Sequence, residues 1–149
     1  MITLTRTDSS NPDFIALVTL LDAYLAEKDG RDHDYYNQFN TIDKLKHVVV
    51  CYESGIPIAC GAIKQFDADS MEVKRMFTKP EARGKGLASQ VLAELEKWAA
   101  ELGYKSCVLE TGKRQVEAVA LYKKQDYSLI PNYGQYRGMD NSICFKKVL

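Results

Sequence analysis

The hexapeptide Arg83-Gly84-Lys85-Gly86-Leu87-Ala88 is the stretch of this 149-residue chain whose composition points most directly to chemistry. Two glycines let the backbone approach a ligand closely. Where such a loop opens a helix, the free N–H groups of the first turn and the positive end of the helix dipole stabilise an anion. A phosphate is the expected guest, and Lys79, Arg83 and Lys85 add positive charge around it. Spacing excludes two common phosphate loops. A nucleotide P-loop needs Gly-x-x-x-x-Gly-Lys-Ser/Thr and a dinucleotide fingerprint needs Gly-x-Gly-x-x-Gly; neither string occurs.

The loop lies between a strand-like run at 71–78 and an amphipathic helix at 87–102, whose Leu87, Val91, Leu92, Leu95, Trp98, Ala99 and Leu102 fall on one face, with Gly103 as a fitting C-cap. Upstream, residues 2–6 alternate as a half-buried strand does. Asn11-Pro12 then offers an N-cap and a first-turn proline to a helix carrying Phe14, Leu17, Val18, Leu21 and Leu25, ending between 27 and 30. Residues 47–52 and 56–63 read as a hairpin turning at Ser54-Gly55, with Pro57 at a strand start or edge. Asp67-Ala68-Asp69-Ser70 is a second turn, leading into 71–78. Downstream follow a strand at 106–111, a helix at 115–122, strands near 127–130 and 142–148, and a loop at 131–140 between the last two. No repeat, linker or low-complexity tract interrupts this order, so one domain of mixed α/β type spanning 1–149 is expected.

Apolar content of 46% and charged content of 27% are ordinary globular values. Lys plus Arg equals Asp plus Glu, at 20 each, so net charge provides no attraction for nucleic acid or an anionic membrane. No apolar run is long enough for a spanning helix and the N-terminus lacks the pattern of a signal peptide; a soluble, cytoplasmic protein is expected. Cys51, Cys60, Cys107 and Cys144 lie in apolar strand-like stretches without metal-ligand spacing, so no metal is expected. Cys51 and Cys60 could face each other across the hairpin, although a cytosolic disulfide is not expected.

The order Arg/Gln-x-x-Gly-x-Gly/Ala, present as Arg83-x-x-Gly86-x-Ala88, resembles the pyrophosphate-binding loop of the GNAT family of N-acetyltransferases, which hold acetyl-coenzyme A. Met76-Phe77-Thr78-Lys79-Pro80 is close to that family's apolar-x-Val-x-Pro, with Thr78 at the valine. Gln115-Val116-Glu117-Ala118-Val119-Ala120-Leu121-Tyr122 is similar to its Asn-x-x-Ala-x-x-Leu-Tyr, and Asp126 replaces the glycine usual in the following turn. The resemblance implies a mostly antiparallel sheet of about seven strands flanked by about four helices, with parallel fourth and fifth strands that splay around the pantetheine arm.

The same resemblance implies roles. The backbone of Met76, Phe77 and Thr78 would pair with the pantetheine amides, and the N–H groups from Gly84 to Ser89, including those of Lys85, Leu87 and Ala88, would cradle the pyrophosphate beside Arg83. Ser89 adds a hydroxyl, and Gln115 keeps the amide of the family's asparagine with one more methylene. Tyr122 would protonate the departing thiolate; the alternative is a tyrosine packed under the sheet. Glu110 or Glu72 would act as general base, unless both pair structurally with Lys74, Arg75 or Lys113.

The implied reaction is acetyl transfer from acetyl-coenzyme A to a primary amine by direct attack in a ternary complex, with neither nucleic acid nor membrane as partner and a homodimer left open. A non-catalytic acyl-coenzyme A-binding module is the competing reading. The acceptor clue is an acidic and aromatic segment containing Asp29, Asp32, His33, Asp34, Tyr35, Tyr36 and Phe39, which would face Tyr133, Tyr136 and Arg137 around a cationic amine; a merely solvated loop is the alternative. His47 begins a strand and reads as structural.

Overall fold

A computed structural model describes residues 1–30 and 44–149. Its centre is a seven-stranded sheet in the order β1-β2-β3-β4-β5-β7-β6. The strands are β1 (Ile2–Thr7), β2 (His47–Glu53), β3 (Ile56–Gln65), β4 (Ser70–Thr78), β5 (Ser106–Gly112), β6 (Ser128–Ile130) and β7 (Ser142–Val148). Every neighbouring pair is antiparallel except β4 and β5, which run parallel as the resemblance implied. Among the described residues three helices flank the sheet, against about four expected: α1 (Pro12–Asp29), α2 (Leu87–Glu101) and α3 (Val116–Lys124).

Alternation in β2 divides the interior in two. Val48 and Val50 meet Phe14, Leu17, Val18 and Leu21 of α1. Val49 and Cys51 face the other way, into a core with Leu87, Val91, Leu92, Leu95 and Ala99 of α2. α1 begins where its cap was expected, since the Asn11 side chain accepts from the backbone N–H groups of Asp13 and Phe14 at 2.9 and 3.1 Å. Leu102, expected on the buried face of α2, lies past the last turn and is exposed.

The β2–β3 turn has positive φ at Ser54 and Gly55, the twist a two-residue hairpin needs. Register places Cys60 opposite Val50 and Cys51 opposite Ala59. The two thiols therefore point to opposite faces of the sheet rather than toward each other, and both are free. Asp126 has φ 71°, so the aspartate at the family's glycine position does adopt left-handed geometry. No described helix is long and apolar enough to cross a membrane.

Candidate active site

The parallel ladder between β4 and β5 is short: Ser70, Met71 and Glu72 pair with Ser106, Cys107 and Val108, and beyond them the two strands share no pairing. The parting coincides with a bulge in β4. Ala62 pairs with Lys74 and Cys60 with Phe77, so β4 has one extra residue opposite Gly61, and Arg75 within it has φ 61°. Gly61 permits the bulge, because a Cβ there would collide with Met76 Sδ and Leu95 Cδ1. The extra residue also exchanges the two faces of the strand. Met71 and Val73 lie in the α2 core, whereas Phe77 lies in the α1 core and Met76 packs toward α2.

A cavity of about 470 Å³ occupies the opening. Met76, Phe77 and Thr78 line it from β4, and Arg83, Gly84, Gly86, Leu87, Ala88 and Ser89 from the loop and the start of α2. Gly84 and Gly86 have φ 81° and 76°, and Gly86 is the N-cap of α2. Among the described residues no side chain caps this helix, which leaves its first-turn N–H groups to a ligand or solvent. Arg83 folds back over the loop: Nε donates to the Thr78 carbonyl at 3.0 Å, and the guanidinium lies 5.1 Å from the centre of the Tyr24 ring. Lys85 is the exception among the expected loop contacts. It does not line the cavity, and its Nζ lies 3.7 Å from Glu53. The Ser89 hydroxyl accepts from Gln125 Nε2 at 3.2 Å.

A second, smaller cavity of about 80 Å³ lies on the other side of the parting. Glu72, Lys74 and Arg75 line it from β4, Glu110 from β5 and Tyr136 from the last loop. Leu21, Met76, Gln115 and Tyr122 line both cavities, so the two meet at Tyr122. Tyr122 is buried, and its phenol is pushed well above the ordinary range, first by burial and then by the charge of Glu110. Glu110 Oε2 accepts from the Ser142 hydroxyl at 2.8 Å. Glu72 Oε2 accepts from Tyr133 at 2.7 Å, and its Oε1 lies 3.8 Å from Lys74 Nζ.

The model of the acetyltransferase (GNAT) family matches residues 14–127, which include both cavities' junction. The chain belongs to this family. An IAA acetyltransferase of Azospirillum brasilense is 30% identical over 150 residues, 99% of this chain and 98% of that protein. A crystal structure assigned as an acyl-CoA N-acyltransferase of Klebsiella pneumoniae superposes with a TM-score of 0.84 at 27% identity, covering 100% of this chain and 98% of its own. A GNAT acetyltransferase of Elizabethkingia anophelis, solved with acetyl-CoA bound, has the same fold at a TM-score of 0.69 and 16% identity, with 99% of this chain and 98% of that one covered.

Within this GNAT fold the expected site residues converge around one cleft, apart from the Lys85 side chain. Asp32, His33, Asp34, Tyr35, Tyr36 and Phe39 lie outside the described residues, and Asp29 ends α1. Arg137 is exposed. His47 packs edge-on against Trp98 with ring centres 4.8 Å apart, a structural contact. Sequence reasoning missed three features: the contribution of α1 through Leu21 and Tyr24, the Tyr133–Glu72 bond, and the burial of Arg75 against Asp22. The last had no local signal, since simple alternation through 71, 73, 75 and 77 would put Arg75 on the face of Met71 and Val73, from which the bulge removes it.

Proposed function

We propose that this GNAT protein transfers an acetyl group from acetyl-coenzyme A to a primary amine by direct attack in a ternary complex. The observation that supports the reading best is the meeting of the two cavities at Tyr122, Gln115, Met76 and Leu21. A cofactor filling the larger cavity would bring its thioester to the wall of the smaller one.

The residues supply what acyl transfer needs. Past Glu72 the β5-facing side of β4 makes no strand pairs, so the backbone of Met76, Phe77 and Thr78 can pair with the pantetheine amides as an added strand. The uncapped N-terminus of α2, with Gly84 and Gly86, receives the pyrophosphate. The ammonium first gives one proton to a carboxylate base, which passes it to solvent; the neutral nitrogen attacks the thioester carbon, the oxyanion forms against a β4 backbone N–H, and the C–S bond breaks as the thiolate takes up the second proton that the nitrogen loses.

Glu110 is the base we assign, because its charge acts on Tyr122, where the two cavities meet; Ser142 donates to one of its oxygens, and Glu72 is bonded by Tyr133 and lies near Lys74. Burial and the charge of Glu110 raise the pKa of Tyr122 above 10.0, so the phenol is protonated at neutral pH and can donate to the departing sulfur. Its part is therefore a hydrogen bond to the sulfur as charge develops, and the proton comes from the attacking nitrogen.

Calorimetry with acetyl-coenzyme A and coenzyme A, followed by thiol release across an amine panel, tests the reading. Binding with amine-dependent release supports it. Binding without release from any amine would favour the non-catalytic module, and absence of binding would remove both.

A further inference from the structure

Arg75 is 6% exposed, and it is held by an interaction that uses only part of its guanidinium. Nη1 donates to Asp22 Oδ1 at 2.9 Å. Nη2 is buried and, among the described residues, has no hydrogen-bond partner. A guanidinium offers five donors in a planar fork, and leaving one arm buried and unpaired is costly. The backbone adds to the cost, since φ is 61° at a residue with a long side chain.

The bulge explains where this charge is placed. Before it, Glu72 and Lys74 point away from the α2 core; after it, Arg75 and Phe77 do. Two successive residues, Lys74 and Arg75, therefore share one face of β4, and both line the smaller cavity. Glu72 and Glu110 line the same cavity. Among the described residues the lining thus holds two cations and two carboxylates.

The geometry points to an acceptor that carries a carboxylate as well as its amine: the carboxylate lies on the Lys74 and Arg75 side of the smaller cavity, and the amine lies toward Glu110 and the thioester. An amino acid is the simplest such molecule. Arginine's fork matches a carboxylate, and a shift of the Arg75 side chain toward the cavity on binding would give the buried Nη2 a ligand oxygen as partner. This assignment rests on the transferase reading above and specifies its substrate class.

The test uses the intact protein and matched pairs of ligands: α-, β- and γ-amino acids and the corresponding carboxamides, titrated by calorimetry with and without coenzyme A. The carboxylate member is expected to bind roughly ten- to a hundredfold more tightly than its carboxamide, the range for a hydrogen bond to a charged group. Arg75→Lys, which keeps the charge and loses the fork, should reduce that preference to about threefold and leave coenzyme A affinity unchanged. Should that variant not fold, the matched pairs on the parent protein decide alone. Equal affinity within pairs, tighter carboxamide binding, or no binding by any carboxylate member overturns the inference. Coenzyme A titration separates the two levels: its failure removes the transferase reading, whereas coenzyme A binding without carboxylate discrimination removes only this one.

Discussion

The Tyr133 hydroxyl donates to Glu72 Oε2 at 2.7 Å and so fixes the loop before β7 onto the middle of β4. The loop is shaped for this by Asn132, whose Nδ2 lies 3.2, 3.1 and 3.1 Å from the carbonyl oxygens of Tyr136, Met139 and Ser142. Tyr133 also stacks edge-on against Phe66 at 4.7 Å. The Tyr133 phenol is pushed far up, by burial and then by the Glu72 charge, so it remains a donor at neutral pH. Tyr133→Phe removes a charge-assisted bond at a carboxylate that is 12% exposed, and should cost about 1–3 kcal/mol in denaturant unfolding. Because Glu72 lines the smaller cavity, the proposed acceptor side, KM for the amine should rise while acetyl-coenzyme A affinity is unchanged. An equal loss of affinity for both substrates would mean that the loop supports the whole cleft instead.

Gly86→Asp separates the cofactor assignment from the fold. A Cβ at Gly86 meets nothing within 4 Å, so the substitution has room, at the cost of about 1–2 kcal/mol for a side chain at positive φ. A carboxylate placed against pyrophosphate should weaken coenzyme A binding by at least about a hundredfold. Gly86→Ala introduces the strain without the charge and should weaken it by less than about tenfold. Calorimetry on both, with circular dichroism to verify folding, checks the pair. Unchanged affinity in the aspartate variant would sink the phosphate assignment.

Much of this site was legible because its residues have local reasons to be where they are. Gly84 and Gly86 need positive φ, Asn11 caps, and the Leu87–Leu95 spacing gives α2 its buried face. The bulge was not legible. Nothing in Lys74-Arg75-Met76 states that the strand changes face there; that depends on Gly61, in the neighbouring strand, leaving room for Met76. The Tyr133–Glu72 and Glu110–Ser142 bonds join residues 61 and 32 positions apart, and only the assembled sheet brings them together. The same holds for Cys51 and Cys60, where a one-residue difference in register decides which face each thiol occupies.

Tyr122→Phe tests the thiolate contact. If the phenol hydrogen-bonds the departing sulfur, kcat should fall by about a hundredfold or more while acetyl-coenzyme A affinity stays within about twofold. Packing should be little disturbed, since the ring remains against Tyr127 and Phe145. Glu110→Gln should lower kcat/KM comparably and remove the acidic limb of its pH profile, whereas Glu72→Gln should leave that limb in place. Loss of the limb in the Glu72 variant alone would reverse the assignment of the base.

Alkaline pH should unfold the protein cooperatively. Burial is the first cause that raises the phenols of Tyr122, Tyr127, Tyr133 and Tyr136 above 10.0, and it pushes the thiols of Cys60 and Cys107 up to about 12 and that of Cys144 to about 11, from 9.0. Raised folded-state values mean that the unfolded chain loses these protons first. Their contribution to stability is complete below pH 9.0 and is lost progressively as pH rises through and beyond 10.0. Tyrosinate absorbance from these rings should therefore appear together with loss of the circular dichroism signal, in one transition above pH 10.0. If all nine tyrosines ionised near pH 10.0 with the fold intact, the four rings would not be buried as described, and the lining of the smaller cavity by Tyr122 and Tyr136 would be wrong with them.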